Sequence, residues 1–273
     1  MIDTIKKLVS IEWLKFKNNS IFIAVMGIFS IGFPFLILLG KRLMRDAPPP
    51  LPSSNVLFEF PTVWDYQGYM GNWFVSILLG YLMIYMFTSE VSNKTMRQNI
   101  LTGFTRKEYF LSKLTIAAIL SLYATAIYTL SCIGIGLIAT DVYDLELVFD
   151  NNFAIFRFFL MSMGYLSFSL LIANLVRRGI LSILLYLAYM MAVEVIARLI
   201  VVFKFETRLP NFAPLNAIED LMINPLFKFA DPFGEQQLGF QFLLSRPEAI
   251  ISSMIYVSIF ITLGWLAFKK KDL

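Results

Sequence analysis

The stretch NWFVSILLGYLMIYMFTS, residues 72–89, is one of six apolar runs in this chain, each long enough to cross a bilayer as one helix. No other feature constrains the fold as strongly. About 20 residues rising about 1.5 Å each match a hydrocarbon layer roughly 30 Å thick. Inside that layer every backbone N–H and C=O needs a partner from the chain itself, and a helix supplies it. Soluble cores do not need such runs. Composition agrees, at 58% hydrophobic with 27 Phe and only 15% charged residues. The runs fall at about 20–40, 72–89, 111–139, 153–176, 179–203 and 248–268. The sequence therefore predicts an all-α polytopic membrane protein, one transmembrane domain over 1–273 with six transmembrane helices.

The segments between the runs are organised too. MIDTIKKLVSIEWLKFK places Ile2, Ile5, Val9 and Phe16 roughly on one helical face, with Lys6, Lys7, Lys15 and Lys17 largely elsewhere. That pattern predicts an interfacial helix over 1–18. The run after it is too long for the usual apolar region of a secretory signal, and no small-x-small cleavage site follows. Gly32 and Pro34 sit inside the first run and predict a kink or a packing notch. The stretch APPPLP makes part of loop 41–71 stiff and extended. Loop 204–247 is broken by Pro210, Pro214, Pro225, Pro232 and Pro247, and LNAIEDLMI within it fits a short amphipathic helix.

Basic residues set the expected orientation. With the N-terminus in the cytoplasm, cytoplasmic segments hold Lys6, Lys7, Lys15, Lys17, Lys94, Arg97, Arg106, Lys107, Lys113, Arg177, Arg178, Lys269, Lys270 and Lys271. Against them stand only Asp3, Glu12, Glu90, Glu108 and Asp272. The positive-inside rule favours this choice, with both termini cytoplasmic. Lys41, Arg42 and Arg45, just outside the first run, oppose it. Topology also accounts for the sequence pI near 9.0, so no nucleic-acid partner is expected.

Catalytic chemistry is limited by what is missing. The chain has no His, which removes Ser-His-Asp and Cys-His nucleophiles and His-ligated metals. The lone Cys132 lies in the third run, where small apolar packing is its expected role. Aspartates are confined to loops and termini, and no G-x-x-x-x-G-K-[ST] is present. No catalytic residue, metal ligand or cofactor is expected in this chain. Two ionisable residues do fall well inside a run: Glu194 and Arg198, spaced i, i+4 and so on one helical face. Each alone would cost about 2.5–3.5 kcal/mol at the centre of a span. The spacing fits a polar lining of a substrate path, a dimer seam, or a self-neutralising pair that fixes helix packing.

Between the second and third runs lies SEVSNKTMRQNILTGFTRKEYFLSKL, polar and charged, residues 89–114. Ser92 or Asn93 fits a helix start, and Met96, Ile100 and Phe104 follow on one face. Gly103 fits a left-handed stop, and Thr105-x-x-Glu108 is a capping box for the next helix. A short helix over 92–104 is expected, either a docking knob or a plain interfacial linker.

These residues resemble the first cytoplasmic loop of type-2 ABC transporter permeases, the exporter-like membrane subunits. That family often shows a Glu closing the second span, a Gly-Thr-x-Arg-like run, Ser/Thr-Arg, and a Lys opening the third span. Glu90, Thr95, Arg97, Thr105, Arg106 and Lys113 match in order, while Lys94 stands where Gly is frequent and Gly103 where Pro is. The resemblance implies a permease dimer in the inner membrane, in contact with membrane lipid and driven by separate ATPase subunits that bind ATP and Mg. It implies that the short helix couples to the ATPase through Glu90, Thr95, Met96, Arg97, Ile100, Phe104, Thr105 and Arg106. It also implies re-entrant helices before the last span. A membrane scaffold or immunity-type protein gripping a soluble partner is the alternative.

Overall fold

The computed structural model describes residues 2–44, 54–101, 103–140, 145–205, 207–225 and 243–271, and the side chains of all of these except 2–8, 44, 54, 145, 202, 203 and 205. The APPPLP stretch, and the expected faces of Ile2, Ile5, Lys6 and Lys7, lie outside that description. Every regular element among the described residues is helical. Among the described residues six helices are long and apolar enough to cross a membrane: Ser20–Leu43, Thr62–Ser92, Arg106–Ala139, Glu146–Val176, Gly179–Val201 and Arg246–Lys270. They are called the first to sixth spans below.

The second span departs from expectation. Its helix begins at Thr62 rather than at 72, inside what hydropathy marks as a loop. The reason is Asp65 and Gln67, polar residues that lower local hydropathy yet are both buried. The Ser131 hydroxyl donates to Gln67 Oε1 at 2.7 Å, and Asp65 pairs with Arg157. Paired in this way, polar groups tolerate the interior.

The fourth span is the hub. Of its most apolar stretch 72% is buried, against 22% for the first span and 17% for the fifth. The second, third and sixth spans pack around it. Tyr128 of the third span stacks on Phe158 of the fourth with ring centroids 4.1 Å apart, and its hydroxyl donates to the Trp64 carbonyl at 2.7 Å. The first and fifth spans turn residues such as Ile31 and Ile180 outward, as lipid-facing helices do. Near Pro34 the first span widens into a π-helical turn, Ile28–Gly32, which fits the break expected there.

The described part of the long loop before the sixth span, 207–225, folds back on the bundle. Leu209–Phe212 and Asp220–Met222 are 3-10 turns around a short helix, Pro214–Glu219. Leu215, Ala217, Ile218, Leu221 and Met222 are buried, so LNAIEDLMI does present an apolar face inward. Glycine makes this approach possible. A Cβ on Gly164 would stand 2.8 Å from Ile218 Cδ1, and one on Gly68 would collide with Met222.

The segment between the second and third spans differs in detail from expectation. The second-span helix continues through Ser92, so neither Ser92 nor Asn93 starts a new one. The linker helix is Thr95–Leu101 rather than 92–104. Lys94 makes the turn with φ 59°, the left-handed region, and Gly103 follows the helix with φ 111°. The capping box is formed: the Glu108 amide donates to Thr105 Oγ1 at 3.2 Å, and the Thr105 amide to Glu108 Oε2 at 2.9 Å. A left-handed L-residue costs roughly 1–2 kcal/mol, partly offset because glycine is freer when unfolded. Lys94→Gly should therefore stabilise the chain by up to about 1 kcal/mol and raise the thermal midpoint in detergent. A lowered midpoint would show that Lys94 makes a compensating contact.

Candidate functional site

Buried charge collects where the N-terminal helix Ile2–Phe16 meets the second and third spans. Lys113, at 1% side-chain exposure, lies between Glu12 and Glu90, which are 3% and 4% exposed. Its ammonium donates to Glu12 Oε2 at 2.7 Å and is in hydrogen-bond contact with Glu90 Oε1. Lys15 reaches the same two carboxylates at 3.0 and 3.2 Å. The Tyr109 hydroxyl donates to Glu90 Oε2 at 2.8 Å. Two carboxylates and two ammonium groups balance. An isolated charge at such depth would carry a penalty of several kcal/mol.

Glu90 is also the junction to the linker helix, because the Thr95 hydroxyl donates to the Glu90 carbonyl at 3.2 Å. One residue thus connects the second span, the third span, the N-terminal helix and the linker. Arg106 donates to the carbonyls of Lys269 and Lys271 at 2.8 and 2.9 Å, tying the end of the sixth span to the same place.

The linker surface differs from the sequence expectation. Met96, on the expected apolar face, is 4% exposed and packs inside the chain. Ile100 and Phe104 are half-buried, and Arg97 and Thr105 are exposed. The apolar face is turned inward, where it holds the linker to the bundle. Outward stand Arg97, Gln98 and Leu101, the last 76% exposed. Glu12, Lys15 and Tyr109 were not singled out by sequence reasoning. Glu12 did carry a signal, as one of two acids, with Asp3, in a largely basic amphipathic segment.

The opposite end of the bundle holds the second polar assembly. Arg157 is buried and donates to Asp65 Oδ1 at 2.9 Å, to Asn151 Oδ1 at 3.0 Å and to the Leu221 carbonyl at 2.9 Å. Arg246 approaches Asp65 from the sixth span at 3.5 Å. Nearby, Glu194 accepts the backbone amides of Leu215 and Asn216 at 3.1 and 2.6 Å. These amides open the helix Pro214–Glu219, where a helix has unpaired N–H groups. Arg198 donates to the Asn216 side-chain oxygen, so Asn216 joins Glu194 and Arg198. Glu194, Arg198, Asn216, Glu219 and Tyr165 line a pocket of about 130 Å³.

Asp220 closes this region. Its carboxylate accepts the Leu244 amide at 3.0 Å and Asn216 Nδ2 at 3.3 Å. Burial pushes its pKa up to about 7, and burial raises Glu219 as well. The folded chain then holds a proton that the unfolded chain releases near the ordinary value of 3.8. Stability is greatest below that value and declines as pH rises through about 7, by at most about 1.4 kcal/mol per pH unit for this group. The thermal midpoint should be higher at acidic than at alkaline pH, and Asp220→Asn should flatten the slope. A parent midpoint that rises with pH across this window would contradict the assignment.

Six membrane-length apolar helices among the described residues define an integral membrane protein. A family model described as ABC-2 family transporter protein matches residues 8–193, more than half of the chain. That interval takes in Glu12, Glu90, Lys113 and the linker helix. The chain belongs to the ABC-2 transporter family, as a membrane-embedded permease component rather than a catalyst. No curated protein matches the sequence.

Proposed function

We propose that this chain is the permease subunit of an ATP-driven exporter, working as a dimer with separate ATPase subunits that bind ATP and Mg. Its linker helix is the docking element, on the cytoplasmic side of the inner membrane together with both termini. The observation that carries the reading is the wiring of Glu90. A push on the helix Thr95–Leu101 reaches Thr95, then Glu90, then Lys113 and Glu12, and so the spans that must move. Such coupling requires an element with two arrangements that ATP binding biases. Basic residues flanking this end, Arg97, Arg106, Lys107, Arg177 and Lys269 among them, support the orientation. The pocket at Glu194 and Arg198 supplies a polar lining in the opposite half of the bundle.

The inward turn of Met96 sharpens the docking surface. Leu101 is the apolar knob, with Arg97 at its rim and Phe104 in support; buried apolar anchors dominate such contacts, while exposed charge pairs add little. Leu101→Asp should leave the protein inserted and monodisperse but cut retention of the co-expressed P-loop ATPase by roughly tenfold or more. Lys107→Ala should do much less. The test is co-purification with ATP hydrolysis measured on the same samples. If Leu101→Asp and Phe104→Asp both retain the ATPase at the parent level, the linker is an interfacial strut and docking lies elsewhere.

A further inference from the structure

The elbow between the N-terminal helix and the first span encloses an apolar pocket of about 470 Å³, within the range of small-ligand sites. Phe16, Met86 and Leu120 form its buried floor, and Ile23, Met26 and Ile119 its sides. The elbow itself is fixed: the Phe22 amide donates to Asn19 Oδ1 at 3.0 Å, and Asn19 Nδ2 donates to the Tyr85 hydroxyl at 2.9 Å. At the mouth stand Trp13, 59% exposed, and Lys17, also exposed. Among the described residues neither the Trp13 indole N–H nor the Lys17 ammonium has a hydrogen-bond or ion-pair partner. Glu12 also borders the pocket, but Lys15 and Lys113 neutralise it. The charge left at the opening is therefore positive.

We propose that this pocket holds one acyl chain of an anionic phospholipid, with the lipid phosphate against Lys17 and the Trp13 indole. The lining chemistry requires an apolar tail and the mouth an anionic acceptor, both on one molecule. Trp and Lys at the hydrocarbon edge are suited to that boundary. Two of the lining residues are themselves exposed, Ile23 on the first span and Ile119 on the third, and open the pocket toward the bilayer. A seated lipid would hold the N-terminal helix to the bundle and so hold Glu12 in its contact with Lys113. The inference depends on membrane insertion and not on the ATPase reading.

The test uses the full-length chain in detergent, titrated with phosphatidylglycerol or phosphatidylcholine carrying brominated acyl chains, with tryptophan fluorescence as the readout. The part of the quenching lost in Trp13→Phe reports the pocket. Phosphatidylglycerol should quench that part at about fivefold lower mole fraction than phosphatidylcholine, the worth of one lysine against one anionic head. Lys17→Glu should erase the preference. Met26→Phe with Ile119→Phe should reduce Trp13 quenching by both lipids, with a size-exclusion profile like the parent's. Equal quenching by the two lipids in the parent overturns the proposal, as does a preference that survives Lys17→Glu. Those outcomes leave only bulk hydrocarbon at the elbow.

Discussion

Lys113→Ala should lose about 3–5 kcal/mol of stability, enough to remove most folded protein at growth temperature. Lys113 is almost wholly enclosed, between two carboxylates that are themselves buried. Its removal leaves Glu12 and Glu90 with Lys15 as the remaining ammonium, and Lys15 is already 23% exposed. Two like charges would then share a low-dielectric site with one partner. The remedy follows from the same reasoning. Glu12→Gln and Glu90→Gln combined with Lys113→Met remove every deep charge, and that triple variant should recover much of the loss. Thermal midpoints by size exclusion in detergent decide it. A single Lys113→Ala variant within about 1 kcal/mol of the parent would mean that the site is hydrated and the network is not structural.

Arg157→Met should be the second most damaging change, at about 3 kcal/mol. It strips donors from Asp65, Asn151 and the Leu221 carbonyl together, and so detaches the loop before the sixth span from the hub. The effect should be smaller than at Lys113, because Arg246 already stands 3.5 Å from Asp65 and is half-exposed. Asp65→Asn added to Arg157→Met should restore part of the stability. Strictly additive damage in the double variant would contradict a direct pair.

The spans were legible because a bilayer leaves few ways to satisfy a backbone, and long apolar runs follow directly from that. The start of the second span was not, because Asp65 and Gln67 resemble loop residues until their partners are known. Glu12 meets Lys113 across 101 positions of sequence, and no local pattern shows such a contact. Helical spacing put Met96 and Ile100 on one face but carried no information on which way that face points, and Phe104 lies beyond the helix, after the left-handed Gly103. The structure turns it inward and leaves Leu101 outside. The i, i+4 spacing of Glu194 and Arg198 was readable, whereas their common partner Asn216 comes from a loop whose path the spacing does not fix.

Site-directed cross-linking tests the coupling role of the linker most directly. Single cysteines at Gln98, Leu101 and Met96, in a Cys132→Ala background, would be challenged with a short bifunctional thiol reagent beside an ATPase bearing one surface cysteine near its docking groove. Gln98→Cys and Leu101→Cys should give a permease–ATPase adduct whose yield changes when ATP is added. Met96→Cys, enclosed by the chain, should give little. Adducts that form equally from all three positions, or from none while the ATPase still co-purifies, would contradict docking at the linker helix.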